Sequence, residues 1–65
     1  MKEEMFLDKF FIIVHDTGLK GHAAFRFNVI DVANGNLFRG TAESEEEAFK
    51  VARRFSIGRL NLRSK

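Results

Sequence analysis

His15, Asp16 and His22 are the residues of this 65-residue chain whose types and spacing come nearest to a metal site. Two imidazoles and a carboxylate are competent ligands for zinc or nickel. They bracket a glycine-containing turn that could bring them together. No fourth ligand stands beside them, and the chain has no cysteine, which excludes a thiolate site. The expectation is that neither a metal nor another cofactor is bound.

The next candidates are carboxylates and hydroxyls. Glu43, Glu45, Glu46 and Glu47 could be taken for a general acid and base. Their place at the start of a helix instead makes them a solvated run that matches the positive end of the helix dipole. Ser44 is claimed as the helix cap, and Ser56 and Ser64 fall in or beyond the last helical turn. No nucleophile, base and orienting group can be assembled, and a chain this short struggles to enclose a pocket that excludes water. The reading is that the protein is not an enzyme.

Cations carry a stronger signal. Residues 1–47 hold nine acidic and five basic side chains, whereas residues 48–65 hold six basic ones and no acidic ones. A purely cationic last quarter points to an anionic partner, most often nucleic acid. On that reading Arg53, Arg54, Arg59, Arg63 and Lys65 contact phosphates, and Arg26 and Arg39 lie near a groove. The structural alternative is that some of these arginines complement the negative end of a helix and the rest keep a tail in water.

The elements that must position these residues follow from local pattern. Phe6–His15 is rich in β-branched and aromatic residues and reads as a strand. Asp16–Gly21 is a turn, and His22–Val32 is a second strand. Ala33-Asn34-Gly35-Asn36 contains the Asn-Gly hairpin signal, and Leu37–Ala42 completes a third strand. Ser44 and Glu47 form a capping box. Ala48, Val51, Ala52 and Phe55 share one apolar helical face, and Gly58 is the expected stop. The fold class is therefore α+β, a three-stranded antiparallel sheet followed by one C-terminal α-helix. A short extra strand near Ile57, Leu60 and Leu62 is allowed. Residues 1–65 make one small domain, with 59–65 as a basic and flexible tail.

The strands do not alternate cleanly between apolar and polar. Phe6, Phe10, Ile12 and Val14 oppose Leu7, Phe11 and Ile13, while Phe25, Phe27 and Val29 oppose Ile30 and Val32. A half-solvated sheet should be polar on its outer face, and one helix covers only one face. The apolar residues Phe6, Phe10, Phe11, Ile13, Phe25 and Phe27 are therefore candidates for a partner interface, with a homodimer the expected assembly. Eight phenylalanines and no tyrosine or tryptophan read mainly as core filling, since tyrosine and tryptophan are the usual interface anchors. No stretch reaches the ~18 apolar residues that span a membrane. The charged start Met1-Lys2-Glu3-Glu4 is not a secretory signal, so a cytoplasmic protein is expected.

The run Arg39-Gly40-Thr41-Ala42-Glu43-Ser44-Glu45-Glu46-Glu47-Ala48 resembles the strand-to-helix junction of ethylene-response-factor domains and of phage-integrase arm-binding domains. Gly40, Thr41, Ser44, Glu46, Glu47 and Ala48 match without a gap, and Ala23-Ala24 with Arg26 echoes the middle strand. The resemblance covers residues 22–55. It implies a DNA-binding protein whose sheet enters the major groove, with Arg26 and Arg39 as base-facing candidates. The departures are a first strand that is apolar rather than arginine-rich, and the lack of tryptophan. Lys20, Gly21, Ala23 and Phe27 also fit an RNA-recognition-motif strand, but a turn stands where that fold needs a helix. Two expectations result. The first is a small non-catalytic nucleic-acid-binding regulator. The alternative is a protein-interaction module or inhibitor of phage type, such as an anti-CRISPR protein or an antitoxin, that uses an apolar sheet face as a homodimer.

Overall fold

The computed structural model describes residues 1–63. Four strands precede one helix: β1 (Lys2–Phe6), β2 (Phe10–Asp16), β3 (Phe25–Asp31), β4 (Leu37–Ala42) and α1 (Glu45–Arg63). All neighbours are antiparallel and the sheet order is β1-β2-β3-β4. The α+β class with a C-terminal helix stands, but the sheet has four strands rather than three. The extra strand lies at the N-terminus, and the last described segment is helix.

The added strand arises because Phe6–His15 is not continuous. Leu7 and Asp8 take left-handed conformations with φ of 56° and 55°, and the Lys9 amide donates to the Phe6 carbonyl at 3.1 Å. This is a turn of the primed kind that matches strand twist. Leu7-Asp8 carries none of the Asn-Gly chemistry that normally announces it, so the sequence hides the break. β3 also starts later than His22. Gly21–Ala23 forms one 3₁₀ turn, and Thr17 closes the loop by donating its hydroxyl to the Ala23 carbonyl at 2.5 Å. The Asn-Gly signal does mark the β3–β4 connection. It acts within a five-residue loop whose Gly35 has φ of 76°.

Only one face of the sheet is sheltered by α1. Phe10, Ile12, Val14, Phe27, Val29 and Ala42 are buried there against Ala48 and Ala52 of the helix. The buried helical stripe continues through Ser56, whose hydroxyl donates to the Ala52 carbonyl at 2.8 Å. That internal bond lets a polar residue sit at a core position. The small residues Ala48, Ala52 and Ser56 recur every four residues and make the buried stripe of the helix. Val51 is only half-buried, and Phe55 is displaced to the margin, where its ring meets Phe38 at 4.9 Å. Gly40 stands directly opposite Phe27, whose ring occupies the space a Cβ would need; an added Cβ would lie 2.3 Å from the ring.

Ser44 caps α1 by accepting from the Glu47 amide at 3.1 Å, which supplies one arm of the expected box. The helix does not stop at Gly58 but runs on to Arg63. Leu60 packs against the core beyond the glycine, and this tertiary contact outweighs the roughly 1 kcal/mol by which glycine disfavours a helix. Residues 59–63 of the expected tail are helical, and residues 64–65 lie outside the described residues.

Two substitutions test this packing. Gly58→Ala meets nothing within 4 Å, so it should raise stability by about 0.5–1 kcal/mol and the melting temperature by roughly 2–8 °C. Gly40→Ala should lower stability by about 1–3 kcal/mol because the Phe27 ring must leave its place. Thermal melts followed by circular dichroism check both, and equal or reversed effects would show that the helix end or the Phe27–Gly40 contact is misassigned.

Candidate interaction surface

Directly paired residues share a face of a sheet and successive residues alternate, so the register assigns the face that α1 leaves open. It carries Glu3 and Met5 of β1, Phe11, Ile13 and His15 of β2, Arg26, Asn28 and Ile30 of β3, and Leu37, Arg39 and Thr41 of β4. These residues form cross-strand rows. Met5, Phe11, Ile30 and Leu37 make one apolar row across all four strands. Glu3, Ile13, Asn28 and Arg39 make the next, and His15, Arg26 and Thr41 the third.

The apolar row is open to solvent at its ends, where Met5 is 51% exposed and Leu37 49% exposed. Phe11, Ile13 and Ile30 are half-buried. Leu7 and Val32 are also exposed. They sit at the same end of the sheet, where the Val32 amide donates to the Lys9 carbonyl at 3.0 Å. With the row they form an apolar stretch at one end of the open face.

The expected interface residues divide between the two faces. Phe10 and Phe27 belong to the core under the helix, and Phe6 and Phe25 pack at its edge. Only Phe11 and Ile13 lie on the open face. Met5, Ile30 and Leu37 were not among the expected contacts; Met5 lies on β1, which the hidden turn concealed, and Leu37 takes its face from the β3–β4 register.

The cations divide as well. Arg26 and Arg39 are both exposed on the open face, as diagonal neighbours on β3 and β4. Lys50, Arg53, Arg54 and Arg59 are on α1, behind the sheet. Arg63 is the last helical residue, and Lys65 lies outside the described residues. Two of the helical arginines already have structural work. Arg53 grips Glu4 of β1 with two nitrogens, its Nε donating to Glu4 Oε2 at 2.7 Å and a terminal nitrogen to Oε1. The Arg59 guanidinium lies over the Phe38 ring at 4.8 Å. Lys2 of β1 adds a second tie to the helix, 3.0 Å from Glu45.

The candidate ligands separate. His15 faces outward from the sheet, and the Asp16 carboxylate accepts from the Gly18 amide at 2.8 Å. His22 stands 3.0 Å from Glu43. Among the described residues no three histidine or carboxylate side chains come together to hold a metal ion. An open depression of about 610 Å³ lies beside the start of α1, lined by His22, Thr41, Glu43, Ser44, Glu47 and Val51. Ser44 is committed to the cap, and His22 to Glu43.

Among the described residues no helix is long and apolar enough to cross a membrane. Comparison with protein families, with characterised proteins and with solved structures found nothing that matches this chain. The fold half of the resemblance, an antiparallel sheet followed by a helix, is present.

The Glu4–Arg53 pair makes a prediction of its own. The hydrogen bonds from Arg53 hold the Glu4 carboxyl below the usual carboxylate range, against the opposing effect of burial. A depressed folded-state value means that the stabilisation is present above the unfolded value of about 4.3 and is lost as pH falls through the folded one. With Arg53 43% exposed, solvent screening limits the pair to about 0.5–1 kcal/mol. Glu4→Gln should remove that amount at pH 7, and the gap between the two proteins should close on acidification below pH ~4. Urea unfolding across pH measures it, and a gap that stays constant with pH would refute the assignment.

Proposed function

We propose that this chain is a non-catalytic protein-interaction module that docks through the open face of its sheet. The observation that carries this reading is the row Met5–Phe11–Ile30–Leu37, which crosses every strand on the side that α1 does not cover. Water gains from releasing such a surface at about 25 cal/mol per Å². A domain of this size has little other core from which to draw stability. An inhibitor or an antitoxin that blocks a larger assembly fits a small, rigid platform of this kind.

A second reading is favoured by one observation. Arg26 and Arg39 share the open face with Asn28, His15 and Thr41. Arginine and asparagine are the side chains that read base edges by paired hydrogen bonds, and the face is the one that ethylene-response-factor and integrase arm-binding domains present to DNA. Against it, the helical cations lie on the opposite side, where the same duplex cannot reach them. Arg53 and Arg59 are also engaged within the fold. The apolar row occupies the half of the face where further groove contacts would be needed.

A photo-activated cross-linker placed at Ile30 in the native host separates the readings, with Arg54 on the far side as control. Protein adducts at position 30 and none at position 54 are expected. Nucleic-acid adducts at position 30, together with binding to duplex DNA that weakens steeply with salt, would replace the proposal by the second reading. No adduct at position 30 would end both.

A further inference from the structure

The pattern of the open face also identifies what covers it, and we infer that the occupant is a second copy of this chain; this deepens the docking-face reading and depends on it. Two identical sheets that meet face to face are related by a two-fold axis lying between them. When that axis runs along the strands, it exchanges β1 with β4 and β2 with β3 while keeping each row on itself. Met5 of one copy then meets Leu37 of the other, and Phe11 meets Ile30. Glu3 falls opposite Arg39, and Ile13 opposite Asn28. The apolar row thus seals against itself, and each end of the second row carries an ion pair between copies, two in all.

An axis across the strands lays each strand on its own copy, so Glu3 never meets Arg39 wherever the axis crosses, and over the middle row it also lays the apolar row on His15, Arg26 and Thr41. The chain's own register therefore selects one arrangement. Strand directions stay aligned in it, as they do in ordinary packed sheets, where twist sets an angle near 30°. His15 and Arg26 of opposite copies fall in the third row, at the rim where water reaches them.

Within one copy Glu3 and Arg39 are three strand spacings apart, roughly 14 Å, so they do not touch. Their charges can then be exchanged without disturbing a contact inside the fold, and both side chains are exposed. Glu3→Arg places like charges at both ends of the second row, and so does Arg39→Glu. Each single substitution should weaken self-association by about tenfold or more. Glu3→Arg combined with Arg39→Glu should restore it to within about threefold of the original, since the pairs are re-formed with reversed polarity. Sedimentation equilibrium of the full chain reads all four proteins, with melting curves to show that each remains folded.

A wild-type chain that stays monomeric at millimolar concentration would overturn the inference. So would a dimer that neither single substitution weakens, or one that the double substitution fails to restore. The failure of self-pairing is distinguishable from failure of the docking face itself. A monomer in solution that still gives cross-links from Ile30 to a different protein in the host removes only the second copy.

Discussion

One helix can lie on only one side of a sheet, and this chain places apolar side chains on both. On the covered side α1 presents the small residues Ala48, Ala52 and Ser56 to the strands. Small helical residues leave room for bulk on the sheet, and Phe10, Ile12, Val14, Phe27 and Val29 fill it. The Phe27 ring lies across Gly40, which is the only residue type that leaves that space free. Nothing in this layer reaches round to the far side, so Met5, Phe11, Ile13, Ile30 and Leu37 meet solvent or a partner.

The charges are arranged to hold that geometry. β1 is an edge strand with no neighbour beyond it, and an edge strand this short gains little from a single ladder. Its inward-facing Lys2 and Glu4 tie it to Glu45 and Arg53 of the helix. These ties keep β1 in the sheet, and with it the two residues, Glu3 and Met5, that complete the rows of the open face. The charge pattern of the chain thus has a local structural use as well as any attraction to an anion. A cationic last quarter overstates the freedom of its arginines, since Arg53 is gripped by a carboxylate and Arg59 rests on an aromatic ring.

Much of this was legible in the residues, and what was not has identifiable causes. The helix start could be read from Ser44 and Glu47 because capping is local chemistry. The fold class followed from pattern, and the surplus of apolar side chains was visible as failed alternation. The hairpin between β1 and β2 was hidden, because Leu7 adopts left-handed backbone that leucine rarely takes and no glycine follows Asp8 to mark the turn. Missing it concealed β1, and with β1 the faces of Met5 and Glu3. The helix end was misplaced because Gly58 signals a stop, whereas Leu60 gains burial by continuing. The division of Phe10 from Phe11 between two faces was legible as alternation. Which of the two faced the helix was not, since both sets are apolar and only packing decides.

The placement of polarity on the open face is harder to explain as an accident of a solvated sheet. A surface built only for water would scatter its charges and interrupt its apolar residues. Here one row is wholly apolar, and the next is closed by a carboxylate at the β1 edge and a guanidinium at the β4 edge. An apolar patch flanked by charges is a common anatomy of a specific contact. Attraction between apolar rows supplies affinity without direction, and the opposed edge charges supply direction without much affinity. Under the proposed self-pairing, the two together would fix one orientation of the second copy over the sheet, which neither would do alone.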